Sequence, residues 1–142
     1  MNAGISIAVI WLDEHLLEVR IAASNGRFSA EADCYDSHDA IERVAAAVRG
    51  FPRSVEDRRE VSVGNLDPDQ IKGGCRLLLR CVDSSGGAVV DVTVLATDQH
   101  DPIETASFEI PIEAAAIDAF ASELGRMELV AGSEATLRRR PN

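Results

Sequence analysis

The stretch Leu17-Glu18-Val19-Arg20-Ile21-Ala22-Ala23-Ser24-Asn25-Gly26-Arg27-Phe28-Ser29-Ala30-Glu31-Ala32-Asp33-Cys34 decides how this chain folds. Leu17, Val19 and Ile21 alternate with Glu18, Arg20 and Ala22, a period of two that buries one face of a strand and leaves the other to water. Asn25-Gly26 follows, and because both residues tolerate positive φ this pair is the strongest short hairpin signal. Phe28, Ala30, Ala32 and Cys34 then alternate with Ser29, Glu31 and Asp33 in a returning strand. Upstream, residues 5–12 are apolar and rich in β-branched side chains, and Asp13-Glu14-His15 closes them. The chain therefore opens as a three-stranded meander.

Downstream the period changes. Ile41, Val44, Ala45 and Val48 stand at i, i+3, i+4 and i+7, one face of a helix. Asp36 or Ser37 is placed to cap its first turn, Gly50 stands at the left-handed position after its end, and Pro52 stops continuation. A short strand is expected near residues 61–63, then a long loop marked by Asp67-Pro68-Asp69 and Gly73-Gly74. Leu77, Leu79 and Cys81 alternate with Arg76, Leu78 and Arg80; Val90, Val92 and Val94 with Asp91 and Thr93; Phe108, Ile110 and Ile112 with Ser107, Glu109 and Pro111. Turns at residues 83–87 and 98–102 separate these strands, and Pro111 marks an edge or a strand end. Ile117, Phe120, Ala121 and Leu124 repeat the helical spacing, with Glu113 at the positive end of the helix dipole, Arg126 near the negative end and Gly125 as terminator. No internal repeat is visible. From Gly132 onward the chain reads as a frayed tail.

These patterns predict an α+β fold: a single, mainly antiparallel sheet of six or seven strands in the order βββ-α-ββββ-α, with both helices on one face. One domain over residues 1–131 and a flexible tail over 132–142 follow. The opposite face of such a sheet would be left to water, and its members are the candidate interaction residues: Glu18, Arg20, Glu31, Asp33, Arg76, Leu78, Arg80, Asp91, Thr93 and Glu109. Charge ladders of this kind also occur on sheets with no partner, and each cross-strand pair is worth only ~0.2–1 kcal/mol.

Charge narrows the choice of partner. The 142 residues carry 14 basic and 24 acidic side chains, a formal net charge of −10. With Arg138, Arg139 and Arg140 set aside, 11 basic residues face 24 acidic ones, a balance of −13. Such a body repels phosphate backbones and anionic leaflets, so nucleic-acid and membrane partners are not expected, and a basic protein is the natural complement. Solubility alone also calls for net charge. Three cysteines, Cys34, Cys75 and Cys81, contain no CxxC and read as reduced thiols. The apolar run at 5–12 has no preceding Lys or Arg and is closed by acids, unlike a secretory signal or a membrane span, so a cytoplasmic address is expected.

No constellation of residues carries chemistry. His15, His38 and His100 fall in separate turns without metal-ligand spacing. Asp67-Pro68-Asp69-Gln70 lacks the Gly and terminal Glu of a calcium loop. Gly73-Gly74 and Gly86-Gly87 lack the Lys-Ser/Thr and the following helix of a phosphate cradle. Ser37-His38-Asp39 has the residue types of a hydrolytic relay, but adjacent side chains diverge and the position is one for helix caps. No catalytic, cofactor-binding or metal-binding residue is assigned, and no cofactor is expected.

Asn25-Gly26-Arg27-Phe28-Ser29, then Tyr35, the helical stripe 41–48 and Gly50-Phe51-Pro52, together resemble a loose group of short uncharacterised bacterial proteins with an NGxFS…Y…helix…GFP outline. The hairpin at residues 83–86 also fits. The resemblance implies an accessory or immunity-type protein acting beside a secreted toxin, and carries over no site residues. The expected function is a non-enzymatic protein-binding module, an inhibitor of a basic partner. Two alternatives stand beside it: a self-associating structural subunit, such as a homodimer, and a small-ligand binder or enzyme whose pocket forms only on folding.

Overall fold

The meander forms as the alternation predicts. In the computed structural model, which describes residues 2–67, 69, 73–85, 87–97 and 102–139, strands β1 (Gly4–Leu12), β2 (Leu17–Ser24) and β3 (Ser29–Asp36) pair antiparallel in sequence order. Helix α1 (Ala40–Val48) follows, then β4 (Arg58–Gly64), β5 (Gly74–Cys81), β6 (Ala88–Ala96), β7 (Glu104–Ile112), helix α2 (Ala114–Arg126) and β8 (Glu134–Arg138). The turns at Pro68 and at residues 98–101 lie partly or wholly outside the described residues.

The strands form two antiparallel sheets of four, ordered β3-β2-β1-β8 and β4-β5-β6-β7, and the fold is mostly β. This corrects the single sheet of six or seven strands. Alternation fixes which side of a strand is buried but not which strand lies alongside it. Two sheets that turn their apolar sides into one core satisfy the same pattern as one sheet under two helices. Here Val9, Val19 and Cys34 from the first sheet share a core with Val61, Leu77 and Val92 from the second, and with the stripes of both helices.

The order strand-strand-strand-helix-strand occurs twice, over residues 4–64 and 74–138. In each run the fourth strand leaves its own meander and pairs with the first strand of the other: β4 with β5, and β8 with β1. The duplication is one of topology, without a visible sequence repeat. Ile41, Val44, Ala45 and Val48 nonetheless recur in identical spacing as Ile117, Phe120, Ala121 and Leu124, and all eight are buried. Residues 134–138, expected in a loose tail, are the β8 of this exchange: Ala135 and Leu137 are buried opposite Ile7 and Ile5.

Each helix also covers a sheet edge. Arg43 of α1 donates to the Ser62 carbonyl on β4 (3.1 Å), and Glu123 of α2 accepts from the Thr136 backbone N–H on β8 (3.4 Å). The helix ends differ from expectation. Neither α1 nor α2 has a side-chain N-cap bond; Asp39 is the N-cap of α1, and Asp36 instead ties the end of β3 to Arg43 and to the Gly64 N–H. Gly50 takes φ +75° just past α1 as predicted, whereas Gly125 lies inside the last turn of α2, which ends at Arg126. Below α1, the Arg59 guanidinium donates to the carbonyls of Ala47 (3.2 Å) and Arg49 (2.7 Å), grips Asp57 and lies 5.7 Å over the buried Phe51 ring.

Candidate interaction surface

The ten candidate residues divide between the two sheets. Glu18, Arg20, Glu31 and Asp33 lie on the outer side of the first sheet. Arg76, Leu78, Arg80, Asp91, Thr93 and Glu109 lie on the outer side of the second. They make two surfaces rather than one.

On the second sheet the charges satisfy one another. Arg80 grips Asp91 through two bonds (2.7 and 3.2 Å) and reaches Glu109 on the next strand (2.8 Å), and these carboxylates hold its pKa above the ordinary arginine value. Arg76 stands 3.6 Å from Glu60, and Ser107 donates to Thr93 (3.3 Å). Leu78 is half-buried between Glu60 and Asp91 in the register. This side is a closed ladder.

The first sheet is arranged differently. Arg20 binds Asp33 in a two-pronged contact (2.8 and 3.0 Å) and lies 3.3 Å from Glu31. Glu18 has no ion-pair partner among the described residues, and it sits between two aromatic residues. Trp11 pairs with Glu18 across β1–β2, and Glu18 pairs with Tyr35 across β2–β3. The two rings meet edge to face over this row, with centroids 6.3 Å apart and planes at 84°. They are the chain's only Trp and only Tyr, and 43% and 47% of their surface is exposed. The Glu18 charge beside the phenol raises the Tyr35 pKa above its ordinary value of 10.0.

A bulge creates this row. Val9 pairs with Val19, but the next pair is Trp11 with Glu18, so Ile10 is an extra residue on β1. Simple alternation from Ile5, Ile7 and Val9 would send Trp11 into the core. The extra residue turns it outward, the usual consequence of a β-bulge. The adjoining β1–β2 turn is pinned from both sides: the Asp13 carboxylate accepts from the His15 and Leu16 N–H groups (2.8 Å each), and His38 Nε2–H donates to the Asp13 carbonyl (2.8 Å). The row therefore stands on a fixed base.

Sequence reasoning missed both rings. The outward side of Tyr35 was readable from its parity with Glu31 and Asp33, but the side of Trp11 depends on a bulge that alternation does not announce.

The remaining candidates do not converge. Ser37 Oγ donates to the Asp39 carboxylate while His38 faces the Asp13 carbonyl, so the three form no relay. His15 is exposed, and His100 lies outside the described residues. Among the described residues no group of three or more His, Cys, Asp or Glu is arranged to hold a metal. Cys34 and Cys75 are buried, and burial pushes both thiols up to about 12, far from a reactive thiolate at neutral pH. Surface clefts among the described residues include one of about 350 Å³ beside Val82, Val89 and Pro111 and one of about 360 Å³ beside Glu123, Met127 and Glu134. No helix among the described residues is long and apolar enough to cross a membrane.

Fold and surface together define a β-rich domain of two four-stranded sheets with an exposed aromatic pair set in an acidic field. Comparison with known protein families, with curated proteins and with solved structures finds no match to this chain.

Proposed function

We propose that this chain is a protein-binding module that docks a basic partner on the outer side of its first sheet. The observation that carries the reading is the Trp11–Glu18–Tyr35 row. Trp, Tyr and Arg are the residues that dominate binding energy at interfaces, and here the only Trp and only Tyr are held half outside the core beside a carboxylate that has no ion-pair partner among the described residues. Glu31, Asp33 and the net charge of −10 extend the attraction beyond the contact, which speeds association and makes it salt-sensitive. An inhibitory or immunity-type role toward a basic toxin is one form of this function.

Affinity capture with the intact protein, compared with W11A/Y35A and with R80A on the second sheet, tests the reading. A basic protein retained at low salt, released at high salt, lost with W11A/Y35A and kept with R80A supports it. Retention by W11A/Y35A rules out the first sheet as the docking side.

A further inference from the structure

The geometry points to a guanidinium as the group this row receives: we propose that Trp11, Tyr35 and Glu18 seat an arginine side chain of the partner. The inference rests on the docking surface proposed above and names its chemistry.

Two rings at 84° cannot both be shielded by each other. One turns its edge into the face of its neighbour, so they do not stack face on face, and both residues keep nearly half their surface exposed. A ring face carries negative potential and attracts a cation lying over it. Glu18 emerges from the strand between the rings, so a cation over the aromatic pair also meets a carboxylate.

Among the described residues Glu18 forms no ion pair; its carboxylate is hydrogen-bonded only to the neutral Tyr35 phenol, which leaves its charge in place. Arg20, its neighbour two residues along the strand, is held by both prongs of its fork to Asp33. The local balance of Glu18, Glu31 and Asp33 against Arg20 leaves the row anionic. Both Lys and Arg satisfy that charge, but the two requirements here differ in shape. Guanidinium is planar, stacks flat on a ring and offers parallel N–H donors to a carboxylate, and it gives up its hydration more readily than ammonium. A ring face beside a carboxylate matches the fork better than the point charge. The bulge at Ile10 and the pinned turn at residues 13–16 set the row in place before binding, so little ordering is needed on association.

The sole tryptophan of the chain sits in the proposed contact, so its emission reports occupancy directly. Tri-arginine, tri-lysine and tri-glutamate peptides are titrated into the intact protein at low salt. Tri-arginine is expected to change Trp11 emission saturably, with tri-lysine about threefold or more weaker and tri-glutamate without effect. E18Q is expected to weaken tri-arginine by about fivefold, and Y35A to weaken it as well, with far-ultraviolet circular dichroism confirming that both variants are folded. Equal response to tri-lysine, or an unchanged E18Q, overturns the guanidinium assignment while leaving the basic-partner surface in place. Silence toward both cationic peptides overturns the assignment too. If the captured partner also survives W11A/Y35A, the docking surface falls with it.

Discussion

Gly64 shows how little room the junction of the two sheets leaves at the scale of one residue. It closes β4 at φ +75°, and a Cβ there would lie 2.6 Å from the Gly73 carbonyl oxygen and 2.7 Å from the Cys34 Cβ. Backbone conformation and space therefore exclude a side chain independently. G64A is expected to destabilise the protein by about 2–4 kcal/mol, read as a lower denaturation midpoint with unchanged slope; a loss below about 0.5 kcal/mol would show that the sheets separate at this point without cost. Asp36, next to this junction, links three elements. Its carboxylate accepts from Arg43 (2.7 Å), from the Gly64 N–H (2.9 Å) and from the Ser37 N–H (2.7 Å). Burial pushes its pKa up, but the Arg43 charge and these donors outweigh burial and hold it below 3.8. A carboxylate whose pKa is depressed by folding stabilises the fold above its unfolded value, and that contribution disappears as pH falls through the folded value. D36N should cost about 1–3 kcal/mol at neutral pH. The gap between wild type and D36N should narrow as pH drops below 3.8, measured by denaturant unfolding across an acid series. A gap independent of pH would remove the charge from the account.

Among the elements, β8 has the most disproportionate role for its length. Its five residues, Glu134–Arg138, supply the fourth strand of the first sheet and cover the backbone of β1. The β1 strand is apolar almost throughout, and with its partner removed it would present an unpaired hydrophobic edge, the commonest template for aggregation. Truncation after Gly132 is expected to yield a chain that self-associates or fails to unfold cooperatively, seen by light scattering and denaturant titration. A monomeric, cooperative truncated protein would contradict that role. The same strand shows why parts of the fold were illegible in the sequence. Glu134-Ala135-Thr136-Leu137-Arg138 does alternate, yet only two of its residues are apolar, and the arginines beyond it carry the signal of a solvated end. The long elements were readable because their burial is local. The stripe Ile41, Val44, Ala45, Val48 states its own inward side, and so does Leu17, Val19, Ile21. Pairing between distant strands leaves no such mark: nothing in β4 announces that its neighbour is β5 rather than β3, because a strand edge uses backbone groups that every residue possesses. The site suffered in the same way. Glu18, Arg20, Glu31 and Asp33 were legible from parity, whereas Trp11 needed the bulge.

The reciprocal exchange of fourth strands governs the whole molecule. The first half, through β4, supplies an edge partner for β5; the second half, through β8, supplies one for β1. Each half alone would therefore hold a three-stranded meander, one helix and one strand with nothing to pair it, while half of a shared core stood open to water. Cutting the chain in the connection between Asn65 and Gly73 leaves every strand intact. Its expected result follows from the pairing. Each fragment alone should lack cooperative unfolding, since neither encloses a core, and mixing them should restore native circular dichroism and a 1:1 complex, because both missing partners are then supplied at once. Restoration should depend on both crossovers, so removing β8 from the second fragment should abolish it even though β4–β5 pairing is untouched. A first half that folds and unfolds cooperatively by itself would show that the two runs are independent units, and the interlocked reading of the topology would have to be abandoned. The split also separates folding from recognition. Trp11, Glu18 and Tyr35 all lie in the first fragment, on a sheet that is complete only when β8 arrives. The guanidinium response of Trp11 should therefore be weak in that fragment and should return on complementation.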